Sequence, residues 1–518
     1  MRFRYRQIAS LPPLAWRARV DRGQDTVVVF HGTRVEAREQ AFVEGAWDGD
    51  FGSLDLRSTV LCGTGGVASR DGVRFHASTD QHGVLFSVRS RDAIHVSNSP
   101  AFAMAGAGEA PDPIYPFYPY DLVAIFRAGL HRPDGGLRLA SGNTLHVHYT
   151  TVVSIDRQGR ARFERHPLCE APLDFRSYET LLCGAVGRVL ANAADARRAH
   201  RHAPLVALSR GYDTTASAVL AARAGASQAF TYVDSMQGDP RRDSGVVNAR
   251  ALGMSCLEHD RWDYLSLREP REAEFGYGPL SSSAPLAALE EALAGRVLVV
   301  GETGDPLWDP ARARVFDAMS RPWIRFTLGL SAIEYRLRVG YVVFAVPCIA
   351  ARHSAAIRDI ATSAEMRPWS VGGTYDRPIP RRIGEEAGLA RDAFGKRKAA
   401  SSHSHLNDAS RFARSSLERY RAFVREQHAG VSASEVDRWR ARAERRQRFW
   451  DTLRPRQRYV RSNAVLRRFP FVLNAPPIPI PWDFMFTFQW TAATVRERYT
   501  VPEDARPDDA RDGADAPR

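Results

Sequence analysis

Along the first part of the chain, apolar positions come in short runs that alternate with polar ones: DTVVVFHG, STVLCG, GVRFHAS, GVLFSVRS, AIHVSNS and TLHVHYTTVVSIDRQGRARF. Runs of this length and period, punctuated by Gly63-Thr64-Gly65-Gly66 and Arg70-Asp71-Gly72 read as turns, predict a mainly antiparallel β domain. From about Phe175 the period lengthens. YETLLCGAVGRVLANAADA, TTASAVLAARAG and SGVVNARALG read as helices, with PLVALS, AFTYVDS and RVLVVGE as strands between them. That alternation implies a parallel sheet covered by helices. After Ser401 the pattern is helical and arginine-rich, then proline-rich at APPIPIPWD, and it ends in a polar tail whose composition predicts disorder. The expected fold class is therefore α/β and α+β, with domains at 1–170, 171–402 and 403–501 and a tail at 502–518. No internal repeat is evident.

Composition narrows the class without naming a function. A chain of 518 residues, 44% hydrophobic and 25% charged, is large enough for two or three globular cores. No apolar run approaches the roughly 20 residues that cross a bilayer, and the start Met1-Arg2-Phe3-Arg4-Tyr5-Arg6 lacks a signal peptide's apolar stretch. A cytoplasmic protein with no membrane partner is expected. The formal charge of +13 invites a nucleic-acid reading, but the arginines are scattered and mixed with Asp and Glu, so nucleic acid is set aside. The densest run, Arg438 to Arg458, reads as a solvated amphipathic helix. Five separated cysteines with no CxxC pair and no zinc spacing read as reduced core residues.

Lysine usage is more informative. Of 72 basic residues only two are lysines, Lys396 and Lys398, almost side by side. An ammonium and a guanidinium are not interchangeable at a phosphate, so this pair, unless it arises by chance, marks a place that needs a compact cation.

The segment APLVALSRGYDTTASAVLAARAG reads as a strand, a small-residue turn and a helix stopped at Gly225. Free N–H groups at the helix start, with the hydroxyls of Ser209, Thr214 and Thr215, suit a phosphate. Asp213 would repel that anion unless Mg²⁺ lies between them. Taken alone, the loop reads more readily as an ordinary helix cap. Downstream, RVLVVGETGDPLWD repeats the logic with Glu302, Gly304 and Asp305. In a parallel sheet both loops would gather at the carboxyl ends of the strands. Asp243-Ser244-Gly245 opens a third helix at that edge, and Val233 ends a strand where its backbone could meet adenine.

Ser209-Arg210-Gly211-Tyr212-Asp213-Thr214-Thr215 resembles the SGGxDS pyrophosphate loop of N-type ATP pyrophosphatases, and its surroundings resemble the synthetase domain of asparagine synthetases. Gly301-Glu302-Thr303-Gly304-Asp305 is similar to that family's second motif. GYVVFAVPCIAARHSAAIRDIA loosely resembles its R-x-P-F-L-D segment, and PRRIGEEAGLARDAFGKRK its closing helix and basic loop. The resemblance covers roughly Phe175 to Ser401. It implies that Ser209, Arg210, Gly211, Asp213, Thr214, Thr215, Val233 and Gly301 contact ATP, and that Asp213 and Asp305 bind Mg²⁺. It further implies that Glu302 is the acid/base or orienting residue near an attacking amine, and that Lys398, with Lys396 as the alternative, neutralises departing pyrophosphate. A fixed cation there suits the charge that phosphoanhydride cleavage develops. Three positions depart from the family. Arg210 replaces a glycine, where it either adds a phosphate contact or blocks close backbone approach. Thr303 replaces another glycine, and Pro306 replaces a glutamate.

Ser78-Thr79-Asp80-Gln81-His82-Gly83-Val84-Leu85-Phe86 and Val96-Ser97-Asn98-Ser99 resemble strands of the same family's glutamine amidotransferase domain. Residue 2 is arginine and no cysteine precedes Cys62, so a degenerate domain without glutaminase activity is expected. The implied function is an AMP-forming ligase that adenylates a small-molecule or peptide carboxylate for attack by an amine donor. A nucleotide-binding scaffold of the same fold is the alternative, and nucleotide or RNA modification a third reading. The substrates, any homo-oligomeric state and the role of the C-terminal extension stay open. His146 with His148 and His200 with His202 lack a nearby third ligand and read as structural, as do Trp308 and Trp369.

Overall fold

The computed structural model describes residues 1–128, 135–233, 243–278, 283–310, 329–373, 375–395, 408–462 and 480–501. Lys396, Lys398, the Ser402 to His405 stretch and the 502–518 tail lie outside the described residues.

The first domain is a sandwich of two sheets. One runs in the order Arg2–Gln7, Thr26–His31, Trp16–Asp21, Ala93–Ser97, Leu85–Arg89, Thr144–His148, Gly136–Arg138. It is antiparallel except where Arg2–Gln7 pairs parallel with Thr26–His31. The other is wholly antiparallel, in the order Ala161–Arg165, Thr151–Asp156, Gly72–His76, Leu61–Ser69, Ala41–Trp47, Glu36–Arg38. Alternate residues of each strand point into the space between the sheets, so Trp16, Ala18, Val27, Val29, Phe75 and Val153 form one apolar layer. The helix Pro100–Ala107, capped by the Ser99 side chain, covers the first sheet, and Phe175–Ala193, opened by an Asp174/Ser177 capping box, covers the second.

One expected turn is not a turn. Gly63 to Gly66 lie inside the strand Leu61–Ser69, paired to Ala41–Trp47. A Cβ at Gly63 would fall 2.0 Å from the Glu44 carbonyl oxygen, and one at Gly45 would fall 2.0 Å from that of Cys62. These glycines serve the close approach of two backbones rather than a change of direction. The Arg70-Asp71 hairpin, by contrast, stands where the sequence puts it.

The second sheet system is wholly parallel and five-stranded, in the order Ser255–His259, Gln228–Tyr232, Ala203–Ala207, Arg296–Val300, Val342–Ala345. The chain starts at the central strand, builds outward on one side, then returns to build on the other. Strand order therefore reverses between Ala203–Ala207 and Arg296–Val300, the kind of crevice where parallel α/β sheets bind ligands. Val206 pairs with Val299, which sets Ser209 and Glu302 equally far beyond the paired positions.

The helices Arg414–Ala429, Ala433–Ser462 and Thr487–Arg496 make up the C-terminal extension. Phe412, Tyr420, Phe484, Phe486 and Trp490 form its aromatic core, and the last helix packs on Pro100–Ala107 and on Glu272–Phe275. The arginine-rich helix is largely exposed up to Phe449, with Trp439 turned against Tyr115 and Phe117. Among the described residues no helix is long and apolar enough to cross a membrane.

Polar side chains join the domains. Arg336, on the helix Ile333–Val339, forks onto Glu44 of the sandwich, and Glu44 also accepts from Thr64 Oγ1 at 2.9 Å and Asn98 Nδ2 at 3.3 Å. On the same helix the buried Glu334 accepts from Ser99 Oγ at 2.7 Å and from the Tyr499 hydroxyl.

Candidate functional site

The turn after Ala203–Ala207 is braced from within. Ser209 Oγ accepts from the Gly211 N–H at 3.0 Å, and the Ser209 N–H donates to Thr214 Oγ1 at 3.2 Å. Thr215 is fully buried: its hydroxyl donates to the Ser209 carbonyl at 3.1 Å and accepts from Asn248 Nδ2 at 3.3 Å. Thr215 thus supports the loop from below, while Ser209, Gly211 and Thr214 stand at its half-exposed rim. The helix Tyr212–Arg223 begins with Gly211 as its cap residue and has no side-chain cap. Its leading N–H groups and dipole remain available to an anion.

The Arg210 guanidinium does not turn into this loop. It donates to the carbonyl of Asp392 at 2.8 Å and that of Ala393 at 3.4 Å, while the Gly395 N–H donates to the Arg210 carbonyl at 2.8 Å. Tyr212 adds to the attachment: it is buried, stacks on Phe394 with ring centroids 5.2 Å apart, and accepts from Arg381. Arg210, which stands where the resembled loop has a glycine, is a tether to the segment ending at Gly395.

The second loop, after Arg296–Val300, lies directly against the first. A Cβ on Gly301 would sit 2.5 Å from the backbone of Asp213 and Thr214, and one on Gly304 would sit 2.5 Å from the Asp213 carboxyl carbon. Both glycines are demanded by contact between the loops. Thr303 between them has φ +76°, the left-handed region that glycine favours, so the departure at this position carries backbone strain.

Asp305 is 3.6 Å from Arg377 Nη2, which also pairs with Asp309 at 3.0 Å. Arg377 is itself buried and lies over the Tyr375 ring. Burial, and after it the negative charges of Asp213 and Asp305, pushes the Tyr375 phenol well above its ordinary range. Both aspartates therefore act on the same hydroxyl. Among the described residues no three His, Cys, Asp or Glu are grouped as metal ligands. Asp213 and Asp305 are nonetheless ligands of the kind Mg²⁺ uses, which takes one or two carboxylates and completes its shell with phosphate oxygens and water.

Glu302 meets a residue of the other domain. Its Oε2 lies 3.2 Å from His82 Nε2. Burial opposes protonation of His82, but the Glu302 carboxylate, with Asp80 in support, raises its pKa above the ordinary value. Val233 follows the strand Gln228–Tyr232, and its N–H already donates to the His259 carbonyl at 3.0 Å.

Other residues behave structurally. Trp308 is buried and donates to the Tyr178 hydroxyl at 3.0 Å. His148 Nε2 bonds Ser87 Oγ, with the His146 ring stacked beside it. All five cysteines are free thiols, and burial raises Cys62 far above the range of a nucleophile. The sequence reading did not single out His82, Tyr375 or Arg377. Only Arg377, standing before the Pro378 that opens a helix, has a local signal.

No protein-family model matches the chain, and no curated protein matches it.

Proposed function

We propose that the chain is an AMP-forming carbon–nitrogen ligase that adenylates a carboxylate and passes the acyl group to an amine. The observation that carries the reading is the meeting of two loops at the reversal of a parallel sheet, with the Asp213 carboxylate against Gly304. The resemblance of both loops to the asparagine synthetase motifs supports it.

In this reading Ser209, Gly211, Thr214 and the N–H groups opening the helix Tyr212–Arg223 bind phosphate oxygens of ATP. Mg²⁺ held by Asp213 and Asp305 would supply positive charge to those oxygens. A substrate carboxylate oxygen bonds to the α-phosphorus as the bond from that phosphorus to pyrophosphate breaks. The amine nitrogen then bonds to the acyl carbon, the acyl C–O bond breaks with its electrons leaving on AMP, and the amine proton passes to Glu302. In this reading the amine comes from a substrate rather than from glutamine. A cytoplasmic location, where ATP is supplied, goes with this reading.

Substrate-dependent pyrophosphate release from Mg-ATP tests the reading. Asp213→Ala abolishes it, and undiminished release by the purified variant would sink the proposal.

A further inference from the structure

Glu302 stands half-exposed at the carboxyl edge of the parallel sheet, yet its Oε2 is enclosed. The group enclosing it comes from the sandwich. His82 Nε2 is 3.2 Å away, on an imidazole that is itself buried.

The turn that carries His82 is stiff. The His82 N–H donates to Asp80 Oδ1 at 2.8 Å, Ser78 Oγ donates to the same oxygen, and the Ser78 N–H closes the turn onto the Gly83 carbonyl at 2.8 Å. The parallel-sheet domain grips this turn at two further places. Thr303 Oγ1 donates to Gln81 Oε1 at 3.4 Å. The Gly329 backbone presses so close that a Cβ there would fall 2.2 Å from the Gln81 carbonyl oxygen and 2.8 Å from the His82 Cα. A side chain held this way sets a buried ring nitrogen against one oxygen of Glu302, whose side chain is half-exposed. Such support from a second layer of side chains is what gives a catalytic group a defined orientation.

We infer that His82 is the positioning residue of Glu302, so that the Ser78–Gly83 turn of the sandwich completes the site of the parallel-sheet domain. The contact stands on geometry; the use made of Glu302 rests on the ligase reading. The charged groups that act on the imidazole are Glu302 and Asp80, which favour its protonation, and Arg336, which opposes it. Held in this place, the Glu302 carboxylate is oriented to accept a proton from an amine.

The test uses the full chain with ¹⁵N-labelled histidine rings. The His82 signal, identified by its loss in His82→Gln, titrates at least about tenfold more tightly for protons in the wild type than in Glu302→Gln. A second arm supplies Mg-ATP, an equimolar mixture of the twenty amino acids and hydroxylamine as the amine. There His82→Ala lowers the kcat of hydroxamate formation at least tenfold, and His82→Gln, which keeps an N–H donor, recovers most of it. An identical His82 titration in wild type and Glu302→Gln overturns the inference, as does equal loss in both His82 variants. A wild type that neither binds Mg-ATP nor forms hydroxamate removes the ligase reading, and the ring titration then decides the contact alone.

Discussion

Arg336 Nη1 lies 2.7 Å from Glu44 Oε2 and Nη2 lies 2.9 Å from Glu44 Oε1, a two-pronged pair buried where the sandwich meets the parallel-sheet domain. Removing one partner leaves a charge with nothing to balance it in a dry interface. Arg336→Met should destabilise the chain by about 3–5 kcal/mol, whereas the double variant Glu44→Leu/Arg336→Met should recover much of that loss. Urea denaturation of the three proteins measures the difference.

The contact between the two loops predicts a sharp effect of the smallest substitution. Gly304→Ala drives a methyl into the Asp213 carboxylate, and Gly301→Ala drives one into the backbone that opens the helix. On the proposed ligase reading each should weaken Mg-ATP binding at least tenfold, about 1.4 kcal/mol, in calorimetric titrations. Ala in place of Gly187, where a Cβ meets nothing within 4 Å, is the control and should bind as the wild type does.

Thr303 pays for its left-handed backbone. Thr303→Gly relieves a penalty of about 1–2 kcal/mol and loses only the long 3.4 Å bond to Gln81. The variant should be as stable as the wild type or more so, by up to about 1 kcal/mol, in thermal or urea unfolding.

Arg210 predicts a change in local stability rather than in phosphate contact. Arg210→Ala removes the bonds to Asp392 and Ala393, so amide hydrogen exchange across residues 390–395 should accelerate roughly tenfold, as expected for about 1–1.5 kcal/mol. Exchange in the helix Phe175–Ala193 should stay unchanged.

Acid should loosen the fold through its buried histidines. Burial lowers His95, His148 and His202 from 6.5 to about 3, and His166 to about 4. Above pH 6.5 these rings are neutral in both states and cost nothing. As pH falls below 6.5 the unfolded chain takes up protons that the folded chain resists, so stability drops by up to about 1.4 kcal/mol per pH unit for each ring. His82 runs the other way: its folded pKa is raised, so its contribution is present in acid and fades as pH climbs through that value. Urea midpoints at pH 7.5, 6 and 5 should fall in that order.

What the sequence shows and hides follows from range. The parallel strands Ala203–Ala207, Gln228–Tyr232 and Arg296–Val300 and the helices Phe175–Ala193 and Tyr212–Arg223 announce themselves by local period, and the two loops by their glycines and carboxylates; the outer strands Ser255–His259 and Val342–Ala345 do not. Trp16–Asp21 does alternate, Trp16, Ala18 and Val20 with Arg17, Arg19 and Asp21; what the period does not foretell is that Arg17 is wholly buried between the rings of Phe30 and Phe102. Gly63 to Gly66 mislead because glycine serves close strand contact as well as turns. His82 escapes because its meaning lies in a partner far away: the neighbouring Gln81 and Thr303 are 222 residues apart. No local pattern encodes such a pairing.

The centre-first order of the parallel sheet also sets a sequence in time. A chain emerging from its N-terminus presents the sandwich first, the Ser209 loop next and the Glu302 loop last. The Arg296–Val300 strand must slot beside a strand made well before it, and Glu302 must then find a histidine made earlier still. The sandwich thus stands as the mould against which the Glu302 wall of the site is cast, and the site matures only when distant parts of the chain meet.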